Sequence, residues 1–454
     1  MTINMSEGNT SRILLSFTLP MIAGNIFQQL YNVVDSIIVG RYVGFDALAA
    51  VGASFPVVFM LIAVVMGLTM GCSTVISQLF GAGEHARMRR AVFTSLVFLA
   101  ATAVVCTGLG LLISQPMLRL LQTPVDIFAR CVEYLNIFFI GTIFLFLYNG
   151  LSAILRALGD SKSPLYFLII AALVNIVLDY VFVVYFNMGV GGVAWATIIA
   201  QAISVILCIW YILRRVAILR FEKTDLVFDR QLLSTMMRYA IPSTLQQFIV
   251  SFGMLAIQGL VNSYDTVVIA GYTAAVRIDQ IAMMPIMNFS MGLSTFVAQN
   301  VGAGTSHRVK EGYRTTLFCC LIVAVLVTGT AYLFGNQIIG VFVDVETDLA
   351  VIEVGATYLK VVSPFYAIMG LMFTANGVLR GAGDVNIFMF ITLLNLIARV
   401  TSAYILAAFI GPEAIWWSLP VGWGISALLS NARYLSGRWK NNSLTAHIGS
   451  IVLE

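Results

Sequence analysis

Apolar residues fall in long blocks of about 20 positions or more, separated by short polar breaks, from Ile13 almost to the end of the chain. A helix needs about 20 residues to cross a hydrocarbon core of roughly 30 Å, so each block predicts one membrane span. Strands of a membrane barrel would instead show about ten residues of strict apolar and polar alternation, a pattern not seen here. Twelve spans are expected, starting near Ile13, Ala47, Val92, Ile127, Pro164, Gly191, Leu232, Val267, Thr315, Ala350, Ile387 and Ala414. The polar stretch RRVAILRFEKTDLVFDRQ, Arg214 to Gln231, divides six spans from six. The expected organisation is a first lobe over 1–213, a cytoplasmic linker over 214–231, a second lobe over 232–436 and a cytoplasmic tail over 437–454.

The two halves repeat each other. MGCSTVISQLFGAG from Met70 matches MGLSTFVAQNVGAG from Met291 in 8 of 14 positions, and each is followed by a basic loop holding His85 or His307. LRALGD at Leu155 recurs as LRGAGD at Leu379, and EYLN at Glu133 as TYLK at Thr357. An even number of spans per copy gives both copies one orientation. The fold class expected is therefore all-α, twelve transmembrane helices in two six-helix lobes with pseudo-two-fold symmetry about the membrane normal, as in transporters built of parallel repeats.

Composition sharpens this. Of 454 residues, 60% are hydrophobic and 10% charged, against about 25% charged in soluble domains. Of the 25 Lys and Arg, 19 fall in segments that are cytoplasmic if the N-terminus is inside; Arg41, Arg119, Arg130 and Lys360 fall outside, and Arg277 and Arg399 within spans. This is the positive-inside distribution, so the net charge of +4 reflects topology and does not point to nucleic acid. Both termini are expected in the cytoplasm, and no cleaved leader is expected. The six cysteines lack CxxC spacing and read as small buried hydrophobes. His85, His307 and His447 lie in cytoplasmic segments, and no HExxH, GxSxG or GxxxxGK[ST] pattern occurs, so neither an enzyme nor a nucleotide-driven pump is expected.

Charges inside spans carry the chemistry, because a carboxylate in hydrocarbon costs several kcal/mol unless it faces a wet or polar interior (about 3 on insertion scales). Asp35 is such a residue, and Asn25, Gln28, Gln29, Asn32 and Ser36 share its helix at spacings of three and four, making one polar stripe. NIVLDY puts Asn175 and Asp179 one turn apart on one face. Clustered oxygens of this kind hold a proton or a small cation. Arg277 and Asp279, two residues apart in the eighth span, either line a cavity or form part of a structural pair. Arg399 stands where Asp179 stands in the first copy, NLIAR against NIVLD, and reads as a buried structural arginine; ion binding is therefore expected in the first half. Met283, Met284, Met287 and Met291 suit either helix packing or a pocket for varied apolar ligands. Pro20 interrupts the first helix and predicts a kink that can serve as a hinge.

Together, Pro20 with Asp35 fifteen residues on, the paired STxxxQxxGAG ends, the paired LRxxGD turns, NxxxD and GVAWAT resemble the multidrug and toxic compound extrusion (MATE) transporters, near their bacterial DinF-like branch, over essentially the whole chain. The resemblance implies a multi-pass efflux antiporter of the bacterial cell membrane. It would export organic, cationic compounds in exchange for H+ or Na+, without cofactors and as a monomer, its partners being the bilayer and small organic substrates. It further implies a coupling site of Asp35, Asn175, Asp179 and Thr197, the only place where Na+ would bind; the residues themselves give an expected substrate cavity including Gln28, Gln29, Asn32, Arg277, Asp279 and Met287, and a hinge at Pro20. No acid lies mid-span in the tenth helix, and Ser243, Gln246 and Gln247 occupy the seventh, so the second cation site of other branches is not expected. A flippase for a lipid-linked saccharide, from the wider superfamily, is the alternative, and would call for more cavity cations than Arg277 and Arg399.

Overall fold

A computed structural model of the chain describes residues 3–341 and 349–442. Most of the tail expected over 437–454 lies outside the described residues. Regular structure among the described residues is entirely helical. The first half comprises α1 (Thr10–Ile38), α2 (Phe45–Gly81), α3 (His85–Leu120), α4 (Val125–Ile140), α5 (Thr142–Ala157), α6 (Lys162–Tyr180) and α7 (Gly189–Arg215). The second comprises α8 (Arg230–Val261), α9 (Thr266–Gly302), α10 (His307–Gly340), α11 (Leu349–Val362), α12 (Tyr366–Ala382), α13 (Val385–Ile410) and α14 (Glu413–Leu435). The element order of the first half is thus repeated in the second, each span falling where the apolar blocks place it.

Two spans are broken. α4 and α5 meet at 49° around Gly141, and a short 3-10 turn, Ser363–Phe365, separates α11 from α12. The first break has a packing reason, since a Cβ on Gly141 would run into the Ile198 side chain of α7. The second contains Pro364, which lacks the N–H that would continue the helix. Among the described residues, ten helical stretches are long and apolar enough to cross a membrane, and the α4–α5 pair makes an eleventh. The twelfth span is α14, whose Trp, Ser, Pro and Gly residues dilute its hydropathy. Its 23 residues reach about 35 Å, enough for the bilayer core.

By packing, the chain forms two compact units. Unit 1 holds Leu19–Thr244 with Ile3 and Asn4; unit 2 holds Met5–Thr18 and the described residues from Leu245 onward. The division therefore falls inside α1, next to Pro20, and inside α8, two residues after Pro242, and not at the polar linker. The polar linker instead docks within unit 1: Arg89 of α3 pairs with Asp225 at 2.5 Å, and Asp229 N–H donates to Thr94 Oγ1 at 3.1 Å.

The repeated MGxST glycines explain the exchange of helix halves. In unit 1, a Cβ on Gly71 of α2 would lie 2.5 Å from Ala240 Cα, so only glycine lets α2 touch the first half of α8. In unit 2, a Cβ on Gly292 of α9 would meet the hydroxyl of Thr18, in the first half of α1. The segment before α1 is also fastened in unit 2. Met5 N–H donates to Gln299 Oε1 (2.8 Å), Asn300 Nδ2 to Met5 O (3.1 Å), and Thr10 Oγ1 to Glu311 (2.7 Å).

The LRxxGD turns close the fourth span of each copy. Gly159 and Gly383 have φ of +83° and +85°, the left-handed region in which a side chain is strained. The aspartates that follow are buried and tied to the last helix of their own unit. Asp160 accepts from Ser163 N–H (3.0 Å), Ser163 Oγ (2.8 Å) and Tyr211 Oη of α7 (2.8 Å). Asp384 pairs with Arg433 of α14 at 2.6 Å.

Candidate functional site

Unit 1 gathers Asp35, Asn175, Asp179 and Thr197 from three helices. Asn175 and Asp179 are 1% and 0% exposed, one turn apart on α6 as their spacing predicts. With its amide oriented to suit its neighbours, Asn175 donates to Asp179 Oδ2 (2.9 Å) and its oxygen accepts from Thr197 N–H on α7 (3.2 Å). From α1, Asp35 brings its carboxyl up against that of Asp179. Two carboxylates have acceptors only, so a bond between them needs a proton on one. Asp35 Oδ1 and Asp179 Oδ1 are shielded and have no protein donor, which leaves acceptor capacity in the cluster.

Two tyrosines complete it. Tyr31, one turn before Asp35 on α1, lies beside the Thr197 side chain and faces both acids; Tyr134 of α4 faces both acids as well. Neither is among the residues expected from sequence, because hydropathy patterning counts tyrosine with the apolar positions. Their signal was the EYLN and TYLK repeat and the four-residue step from Tyr31 to Asp35.

Both acid-bearing helices end in wide π turns, Val39–Val43 after α1 and Val181–Tyr185 after α6. Such turns are rare and recur beside functional sites. Here they come together, with Val39, Val183, Val190 and Val193 forming a buried apolar cluster next to the acids.

The residues expected in a substrate cavity are distributed between the units. Gln28, Gln29 and Asn32 are exposed on α1 in unit 1, with Asn32 Nδ2 donating to Gln29 Oε1 at 3.3 Å. Arg277 and Met287 are exposed on α9 in unit 2. Asp279 is 6% exposed and turned into the interior of unit 2. Its partners are tyrosine hydroxyls, and Arg277 is not among them.

The family described as MatE matches this chain over residues 20–181 and 242–405, one match in each half and together well over half of the sequence. The chain belongs to the MatE family. It is a MATE family transporter, a multi-pass membrane protein. "Probable multidrug resistance protein YpnP" of Bacillus subtilis is 30% identical over 96% of this chain and 97% of its own. "Probable multidrug resistance protein NorM" of Thermotoga maritima is 24% identical over 95% and 93%. The fold is that of a solved structure described as a crystal structure of MATE in the bent conformation, with TM-score 0.88, 22% identity and 96% of each chain covered.

Proposed function

We propose that this MATE transporter is a secondary active antiporter that exports organic cations in exchange for inward protons bound at Asp35 and Asp179. The observation that carries the reading is the contact between these two carboxyls inside membrane-spanning helices, with Asn175, Thr197, Tyr31 and Tyr134 around them. A carboxyl pair sharing a proton is a chargeable group in a place where charge is otherwise avoided. Loading and losing that proton changes the charge presented to a cationic ligand. By linkage, a proton that disfavours the cation must itself be disfavoured by it to the same degree.

Gln28, Gln29, Asn32, Arg277 and Met287 are the polar and polarisable side chains we assign to substrate binding. Pro20, which interrupts the hydrogen-bond ladder of α1, is the hinge at which that helix readjusts when the acids change charge. The excess of Lys and Arg supports cytoplasmic termini in a bacterial cell membrane. The names of YpnP and NorM, which call those proteins probable multidrug resistance proteins, support drugs as the substrate class.

The test is efflux of a cationic dye from vesicles under separately imposed H+ and Na+ gradients. Efflux is expected to follow the H+ gradient, and Asp35→Asn is expected to abolish it while the protein still inserts and melts normally. Efflux driven by Na+ alone would move the site from a proton to a cation; wild-type rates in Asp35→Asn would remove these acids from coupling altogether.

A further inference from the structure

Unit 2 contains a second buried carboxyl, outside the assigned coupling site. Asp279 of α9 receives the hydroxyl of Tyr366 of α12 on Oδ1 and that of Tyr358 of α11 on Oδ2 (3.4 Å). Asp279, Tyr358 and Tyr366 are 6%, 1% and 1% exposed. Tyr272 and Trp416 pack edge-on against Tyr358, each with ring centroids 5.8 Å away. Arg399 of α13 supplies the nearby positive charge, without an ion-pair contact to Asp279 among the described residues. Its Nε is buried and without a protein partner. The groups facing Asp279 are thus Tyr358 from α11, Tyr366 from α12, Arg399 from α13 and Tyr272 on α9 itself; no charged group of α10 faces it among the described interactions.

The repeat ties this cluster to the first. Tyr134 of EYLN and Tyr358 of TYLK are the same position in the two copies, and each faces a buried aspartate of its own unit. Arg399 occupies the Asp179 position and also lies near the aspartate. The arrangement of tyrosine, acid and fifth-span side chain recurs, with two acids in unit 1 and an acid and a base in unit 2.

We propose that Asp279 is a second proton-binding site, whose loading rearranges the hydrogen bonds that tie α9 to the broken helix α11–α12. The enclosed carboxyl has room for a proton and little else, since a hard cation takes about six oxygen ligands and here one carboxyl and two phenols converge. While Asp279 is ionised it accepts from both tyrosines and braces three helices. A proton on Oδ1 makes that oxygen a donor, so the Tyr366 hydroxyl must accept and send its own hydrogen elsewhere. Ser363, at the 3-10 break, and Tyr366 line one cavity of about 440 Å³.

The test does not depend on transport. Infrared difference spectra of the purified protein in detergent are recorded from acid to mildly alkaline pH, following the carbonyl band of protonated carboxyl groups. In an Asp35→Asn/Asp179→Asn background, a titrating band is expected to remain. Adding Asp279→Asn is expected to remove it, and Tyr366→Phe to displace its midpoint. Asp279→Glu keeps a titrating carboxyl and covers the case in which the asparagine variant does not fold; it is expected to retain the band at an altered frequency. A band unaffected by Asp279→Asn, or no titrating band in the background, overturns the proposal. So does a Tyr366→Phe variant that lowers Tm but leaves the titration in place, which would make the cluster a structural brace alone.

Discussion

Gly71→Ala tests the exchanged helix halves at their closest approach. The added Cβ would sit 2.5 Å from Ala240 Cα and 2.6 Å from Ala240 Cβ, against 3.4–4 Å for ordinary contact. Backbone atoms cannot swing aside, so α2 and the first half of α8 must part locally by about 1 Å, an overpacking strain of about 1–3 kcal/mol. Alanine also gains about 1 kcal/mol of intrinsic helix propensity over glycine in water, which would mask part of that strain. Gly52→Ala on the same helix removes the ambiguity: Gly52 is exposed, and its Cβ would meet nothing within 4 Å. The propensity gain is common to both variants, so their difference isolates the contact. In detergent, Gly71→Ala is expected to melt at least about 2 °C below Gly52→Ala. Gly292→Ala is expected near the Gly52 control, since its Cβ meets a Thr18 hydroxyl that can rotate away. Equal melting of Gly71→Ala and Gly52→Ala would refute the close approach, and with it the reason for the repeated glycine.

Three further outcomes follow from other contacts. Arg433→Ala removes the cation beside Asp384, whose side chain is 2% exposed, and is expected to cost about 3 kcal/mol in denaturant unfolding, with Arg433→Lys recovering part; no loss would show the pair to be incidental. Asp225, outside the spans, has its pKa held below the usual carboxylate range by the Glu222 N–H and then by Arg89. Its contribution to stability is therefore complete above about pH 4 and lost as pH falls through the lowered value; Asp225→Asn is expected to flatten that acid limb of Tm against pH, and an unchanged limb would count against it. Pro20→Ala restores an N–H to the Ser16 carbonyl and stiffens α1, so dye efflux is expected to fall several-fold with Tm unchanged or raised; full efflux would place the hinge elsewhere.

What was legible in the sequence was whatever depends on the solvent. Bilayer thickness sets block length, which is why every span lies where its block predicts, and the cost of charge in hydrocarbon singles out Asp35, Asp179 and Asp279. What depends on the neighbour was not legible. The bend at Gly141 follows from the proximity of Ile198, which hydropathy cannot register. The first halves of α1 and α8 have apolar patterns that any helix could cover, so their unit membership emerges only from the contacts of Gly71, Gly292, Gln299 and Glu311. Tyr31 and Tyr134 were passed over because a phenol is apolar by area and polar by its one hydroxyl, and only position decides which property is used.

That property accounts for what the two copies kept and what they changed. Tyrosine survives at Tyr134 and Tyr358, while the fifth-span position became acid in one copy and arginine in the other, as Asp179 and Arg399. A phenol in a low-dielectric interior donates to a carboxylate or accepts from a carboxylic acid, so it serves a titrating partner in both of its states. An acid beside another acid forces them to share a proton; an arginine beside an acid stabilises the empty, ionised form. The same scaffold therefore sets a buried carboxyl beside a second acid in unit 1 and beside an arginine in unit 2. In unit 1 this suits a site that must be loaded to act, and in unit 2 a brace whose hydrogen bonds change direction on loading.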